Sequence, residues 1–344
     1  MSRGQTIAAG FALLYLALLA TVAVLFAYVG EQWWVSGVGL YLPRALLAVP
    51  LPATVIALVA AGLRRLIWTQ ALASALLVFP LMGFAVHFPL FRASALPALR
   101  VLSYNVNSTT GGVGAIVEEI DRHSPDVVLL QEVASTDALA DLLRARYSTV
   151  EISGQFMFAS RYPLLSTREP PRIPYEGRLR SPRFVQQVLD TPLGHIVFYN
   201  VHPLSPRETL YTLRGQGLRR EILSGRLFSS ASSDAFQANS RLRTLQVQAF
   251  SEAAGGETDP VVIAGDTNLP GLSFVFRRYL SDYQDGFTKA GFGFGYTFPA
   301  DRRPWMRIDR ILARGSLRFV GFEVGKSLAS DHHCVVADLQ RSAP

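Results

Sequence analysis

An α/β (α+β) domain preceded by a three-helix transmembrane region is the fold class this sequence predicts, and three observations predict it. The apolar residues are concentrated before about Phe91, where Glu31 is the only acidic residue and Arg3, Arg44, Arg64 and Arg65 are the only basic ones. From Arg100 onward, short β-rich runs ending in polar residues alternate with helical stretches. The chain as a whole is 49% hydrophobic and 17% charged over 344 residues, with a mean hydropathy of +0.24, a value that soluble domains of ordinary composition rarely reach. This excludes disorder and gives length for about two domains. A single cysteine, Cys334, excludes an internal disulfide framework and any cysteine-rich zinc site.

The first region, residues 1–91, holds three uncharged runs: Thr6 to Gly30, Ala45 to Leu63 and Leu66 to Phe91. Each is as long as the roughly 18 to 20 residues a helix needs to cross a bilayer, which predicts spans at about 6–30, 40–63 and 66–91. The first run exceeds the ~7–15 apolar residues of a signal peptide and two more follow, so a span is favoured over a cleaved leader. Pro50 and Pro52 predict a kink in the second helix, and Trp33 with Trp34 fits an interfacial belt. Arg3, Arg64 and Arg65 place the N-terminus inside, against Arg92 and Arg100 on the other side. An integral protein of the cell membrane follows, with everything after Phe91 on the extracytoplasmic face. Residues 92–99, with Pro97, read as a short linker.

In the second region, residues 100–344, strands are expected at Val101 to Val106, Asp126 to Gln131, Phe184 to Asp190, His195 to Val201, Val261 to Ala264 and Arg307 to Leu312. Helices are expected at Gly114 to His123, Ser135 to Arg146 and Arg241 to Ala254, and Thr191 to Gly194 reads as a hairpin turn. The informative feature is what sits at the strand ends, where a rigid sheet can hold polar groups around one phosphate. These ends carry Asn105, Glu132, His202, Asp266 with Asn268, Asp309, and Asp331 with His332. Singly, each has an ordinary reading as a solvated strand end, a turn or a salt-bridge partner. Together they do not.

In order, S-Y-N-V, D-V-V-L-L-Q-E-V, A-S-R-Y-P-L, N-V-H, G-D-T-N, I-D-R-I and S-D-H span about Arg100 to Leu339. On these motifs the region resembles the endonuclease/exonuclease/phosphatase superfamily, which includes deoxyribonuclease I, abasic-site endonucleases, inositol polyphosphate phosphatases and neutral sphingomyelinases. The resemblance implies two packed mixed β-sheets flanked by helices, a four-layer sandwich, and a metal-dependent phosphoester hydrolase. It further implies Glu132, Asn105 and Asp331 as ligands of Mg²⁺, with Mn²⁺ as the alternative, which suits hard oxygen donors. Asp266 would orient or deprotonate water, Asn268 and His202 would meet phosphate oxygens, and Asp309 would hydrogen-bond the second histidine, His332. Two positions depart from the family pattern: Thr267 stands where an aromatic is common, and His333 with Cys334 where a proline often stands. His333 reads as a packing or surface residue and Cys334 as a buried small hydrophobe.

The basic residues are 31 Arg and two Lys, a bias that suits phosphate contacts or reflects a GC-rich genome. From Arg92 onward the excess is only 29 basic over 25 acidic residues. The stretch Ser205 to Ser240, with Arg207, Arg214, Arg219, Arg220 and Arg226 among leucines, is the expected specificity element, a basic amphipathic helix suited to anionic headgroups. A solvated surface helix with a serine-rich tip is the plainer reading. The partners implied are the lipid bilayer and a phosphorylated lipid substrate, with nucleic acid as the alternative and an inactive membrane scaffold as the least favoured reading. Oligomeric state is not legible.

Overall fold

A computed structural model of the chain describes residues 1–87, 98–214 and 231–342, so most of the expected linker, and Arg219, Arg220 and Arg226 of the expected specificity element, lie outside the described residues. The chain divides into two compact units, Met1–Phe84 with Pro270–Arg277, and Ala85–Leu269 with Arg278–Pro344.

The N-terminal unit is helical. Its first helix, Arg3–Tyr28, opens on a reciprocal cap in which Ser2 Oγ accepts from Gln5 N (3.3 Å) and Gln5 Oε1 accepts from Ser2 N (2.9 Å). Among the described residues this is the one helix long and apolar enough by itself to cross a membrane. The other two expected spans are not continuous helices. Trp34–Leu40 and Arg44–Ala60 meet at a 93° bend, because the chain passes through Pro43 between them. Pro50 and Pro52 do not kink a helix but open one, Pro50–Ala60, where a missing N–H costs nothing. The third run forms Ile67–Leu76 followed by a widened turn, Leu77–Leu81, around Pro80, with Met82 N bonding Leu77 O (2.8 Å), and the helix stops at Gly83.

Inside this unit several buried polar side chains are paired, while Trp34 Nε1 makes no hydrogen bond among the described residues. Buried Gln70 donates to Ala12 O (3.3 Å) and accepts from Thr54 Oγ1 (2.8 Å), tying three helices together. Glu31, 2% exposed, accepts from Ser273 Oγ and from Phe274 N (3.1 Å). Beside it, Gly30 has φ +47° and a Cβ there would lie 2.8 Å from that of Phe274, so only glycine fits. The outer surface is apolar, with Phe11 at 62%, Leu14 at 68% and Ile56 at 67% exposure.

The larger unit contains strands β1 (Leu99–Asn105), β2 (Val127–Gln131), β3 (Thr149–Ser153), β4 (Phe156–Ser160), β5 (Leu164–Arg168), β6 (Ile173–Tyr175), β7 (Arg178–Arg180), β8 (Phe184–Thr191), β9 (Gly194–Val201), β10 (Val261–Asp266), β11 (Gln284–Asp285), β12 (Asp309–Arg314), β13 (Leu317–Val324) and β14 (Val335–Arg341). They form two mixed six-stranded sheets, ordered β13-β14-β1-β2-β4-β3 and β11-β12-β10-β9-β8-β5, and a small β6-β7 hairpin. Each large sheet has one central parallel pair, β1 with β2 and β9 with β10, among antiparallel neighbours.

Alternation along β1 and β2 sends Val101, Val127 and Leu129 to one face and Leu102, Tyr104, Val128 and Leu130 to the other. The first face packs on Phe198, Val262, Ala264 and Ile311 of the second sheet; the other is covered by Ile116, Ile120, Leu139 and Leu143 from helices Val113–His123 and Thr136–Arg144. The far side of the second sheet carries helix Ala231–Gly255, whose Phe250 meets Phe184 edge-on at 6.1 Å. Helix, sheet, sheet and helix therefore make the expected four layers.

Candidate active site

Both central parallel pairs end at the same rim. Asn105 closes β1, Glu132 follows β2, His202 follows β9 and Asp266 closes β10, while Asp309 begins the antiparallel β12 directly opposite Asp266. Ser330 Oγ donates to Asn105 O (2.7 Å), which brings the S-D-H segment to this rim.

The geometry joins these residues into one cluster. Asn105 Nδ2 donates to Glu132 Oε1 (3.1 Å) and Asp266 Oδ2 (3.2 Å). His202 Nε2 lies 3.2 Å from Glu132 Oε1 and 3.6 Å from Asp266 Oδ2, close enough for charge interaction but off hydrogen-bonding alignment, so this buried nitrogen makes no hydrogen bond among the described residues. Its Nδ1 is held by Gln155 Oε1 at 2.9 Å. His332 Nδ1 is 2.9 Å from Asp309 Oδ2, and its Nε2 faces Asp266 Oδ2 at 3.7 Å. Asn268, with φ +51°, turns back so that its amide N donates to Asp266 Oδ1 (2.9 Å) and its Nδ2 to Pro203 O (3.0 Å). Asp331 is ion-paired with Arg207 (2.5 Å) and stands 4.0 Å from His332 Nε2.

Burial separates the charge states. Desolvation opposes ionisation of Glu132, but the approach of His202, the Asn105 hydrogen bond and the His332 charge outweigh it and hold the carboxyl down at about 2. For Asp266, complete burial dominates and, with the neighbouring Asp309 charge, raises its proton affinity. His332 is also penalised by burial, yet the charges of Asp309 and Asp266 lift it to about 9. The rim thus combines a carboxylate fixed as an anion, a carboxylate suited to accepting a proton and an imidazole suited to remaining cationic.

The donors suit a divalent metal. Glu132 is ionised and 30% exposed, and among the described residues Asn105 Oδ1 accepts only from Asn107 N (3.0 Å), leaving a lone pair. These are hard oxygen donors without a thiolate, and beside them His202 Nε2 is a buried nitrogen that makes no hydrogen bond among the described residues. Asp266, Asp309 and His332 also bring three ligand atoms within 4.8 Å of one another.

All eight residues expected from the strand ends are at this rim, though Asp331 is engaged by Arg207. His333 is away from it, bonded to Ser327 O (3.3 Å), and Cys334 is buried at 1% exposure. Residues not expected are Gln155, which orients His202, and Phe298, whose ring packs 4.7 Å from that of His332 and under Arg207 at 5.2 Å. Gln155 lies in the Gly154-Gln155 turn between β3 and β4, a pairing that no polar strand end signals.

Residues 102–332 match the Endonuclease/Exonuclease/phosphatase family, and the chain belongs to it. The protein is accordingly a metal-dependent phosphoester hydrolase, and the family's use of divalent metals agrees with the donor set described. Two solved structures support the fold. An endonuclease/exonuclease/phosphatase from Beutenbergia cavernae is 20% identical, with TM-score 0.50 and 72% of each chain covered. A functionally unknown conserved protein from Enterococcus faecalis is 15% identical, with TM-score 0.52, covering 71% of this chain and all of that one. A truncated Caenorhabditis elegans TDP2 is also similar, at 18% identity and TM-score 0.49, covering 70% of this chain and 97% of that one. No curated protein matches the sequence.

Proposed function

We propose that the protein is a membrane-anchored, Mg²⁺-dependent phosphoester hydrolase acting on a phosphorylated lipid, a phospholipid headgroup or an isoprenoid pyrophosphate at the outer membrane face. The observation that carries the lipid reading is the inverted surface of the N-terminal unit: apolar side chains such as Phe11, Leu14 and Ile56 face outward while Gln70 and Thr54 are paired inside. That arrangement suits hydrocarbon surroundings. Mg²⁺ is preferred to Mn²⁺ because the donors are a carboxylate and an amide oxygen that would leave waters in the shell.

In this reading Glu132 and Asn105 hold the metal, with Asp331 reaching it when Arg207 turns to substrate. Bound there, the metal would neutralise phosphate charge. Asp266 orients the attacking water and takes its proton, a role favoured by its raised proton affinity. His202 donates through Nε2 to one phosphate oxygen and Asn268 steadies another. His332, kept cationic by Asp309, stabilises the charge that develops opposite. In-line attack at phosphorus forms the P–O bond to water as the P–O bond opposite breaks; the leaving oxygen departs as an anion and takes a proton from solvent, while Asp266 holds the proton lost by water.

A surface nuclease is the second reading, favoured by the 31 arginines. Turnover by detergent-solubilised full-length protein across an isoprenoid pyrophosphate, phospholipids, sphingomyelin and plasmid DNA, with His332→Ala as blank, separates the two. Lipid turnover alone supports the proposal; DNA turnover alone replaces it with the nuclease.

A further inference from the structure

Arg183 is the residue just before β8, and it takes no part in the site outlined above. Phe184 pairs with Val201 in the β8–β9 ladder, and the next step of the chain brings Arg183 O to accept from His202 N (2.9 Å). Its backbone is therefore locked to the catalytic-histidine position. Partial burial lowers the affinity of its guanidinium for its proton, and among the described residues the charge that acts on it in the opposite sense is that of Glu132. Among the described residues that guanidinium makes no hydrogen bond or ion pair; the polar contact of Arg183 besides His202 is its own amide, which donates to Ser181 Oγ (3.2 Å).

Two features make this costly to keep without a purpose. A half-buried guanidinium with no acceptor forfeits hydration and gains nothing in return. Arg183 also has φ +58°, the left-handed region that side chains avoid, which it shares at this rim with Glu132 (+55°) and Asn268 (+51°). Strain of this kind persists where the surroundings hold a residue in place, often for binding. Elsewhere in the unit, the deeply buried Arg310 does have a carboxylate: its Nη1 donates to Asp285 Oδ2 at 2.5 Å.

We propose that Arg183 is a substrate-binding residue whose guanidinium forks onto the non-bridging oxygens of the phosphoester, on the Glu132 and His202 side of the rim. The inference rests on the phosphoester-hydrolase reading of the same site. Arginine suits the task because its planar donors match two phosphate oxygens at once and its charge is permanent. It supplies the anion recognition, whereas Asp266 and His332 act on the proton inventory.

The test uses full-length protein in detergent and bis(p-nitrophenyl) phosphate as substrate, with wild type, Arg183→Gly, Arg183→Lys and the exposed control Arg178→Gln. Glycine removes the guanidinium and at the same time relieves the left-handed backbone, so Tm should hold or rise. KM should rise about 10- to 100-fold, with kcat changing less; Arg183→Lys should recover part of the loss and Arg178→Gln should match wild type. Binding of inorganic phosphate, measured by calorimetry, should weaken in parallel, and the Mg²⁺ concentration giving half-maximal turnover should stay put. Unchanged KM and phosphate binding in Arg183→Gly would overturn the inference while leaving the hydrolase reading intact. A shift in the Mg²⁺ requirement with KM unchanged would also overturn it, by making Arg183 a positioning residue for Glu132. A wild type that hydrolyses no phosphoester would overturn the inference and the reading together.

Discussion

The N-terminal unit and the larger α/β unit both bury polar side chains, but they do so to opposite ends. In the helical unit Gln70, Thr54 and Glu31 find partners on neighbouring helices or on the Ser273 hydroxyl and the Phe274 amide, and large apolar residues are left facing out. In the α/β unit the apolar residues fill the space between and behind the sheets, and the polar groups gathered at the rim are left partly unsatisfied. His202 Nε2 makes no hydrogen bond among the described residues, and Asp266 is buried against Asp309 with its proton affinity raised. A satisfied buried network fixes a structure, whereas an unsatisfied one is poised for a ligand.

The largest effect should come from the rim. Asp266→Asn keeps the volume and most hydrogen bonds but removes the proton acceptor, so kcat for phosphoester hydrolysis should fall about 10²- to 10⁴-fold with an unchanged melting profile. Retained activity would dissolve the distinction between rim and core.

The same substitution made in both units sharpens the contrast. Phe198→Ala, at a fully buried position between the sheets, should cost about 3–5 kcal/mol in denaturant unfolding. Phe11→Ala, at 62% exposure on the outer helical face, should cost under about 0.5 kcal/mol in detergent. Comparable losses would mean that Phe11 is covered by protein. Leu14→Arg probes what does cover that face: a charge at mid-helix costs about 2.5–3.5 kcal/mol in a bilayer. Membrane retention on fractionation should drop while turnover of a water-soluble phosphodiester stays level, and full retention would argue against anchoring by this helix.

A smaller effect, visible in the pH profile, should follow from Asp309→Asn. Asp309 is the main group lifting His332 from 6.5 to about 9, so its removal lowers that affinity. For wild type, the raised value means that this pairing stabilises the fold fully below about 6.5 and is lost as pH rises through about 9. Activity that needs cationic His332 should decline on the alkaline side near 9, and the variant's decline should begin closer to neutrality.

Much of the α/β unit is legible in the sequence because its chemistry sits at strand ends. Val101 to Val106 and Val261 to Ala264 are apolar runs closed by Asn105 and by Gly265-Asp266, and the observed strands differ from expectation by one or two residues at their ends. The edge strands β3, β5 and β13 are less visible, since their exposed, mixed residues lack an apolar run. Around residues 231–240 a serine-rich, polar composition misleads in the opposite sense: Ala231–Gly255 is one helix, held by burial of Phe236 rather than by propensity. In the helical unit, composition reveals the apolar runs but not where proline and glycine break them. Nor can it reveal that Glu31, the only acidic residue before Phe91, meets Ser273, because that contact joins positions 242 residues apart.

The central claim is that Glu132 and Asn105 form the metal position of one phosphoesterase rim. Its most direct test is a Mg²⁺ titration of phosphodiester turnover by wild type and Glu132→Gln. The variant should need about 10- to 100-fold more Mg²⁺ for half-maximal rate; superimposable titration curves would contradict the claim.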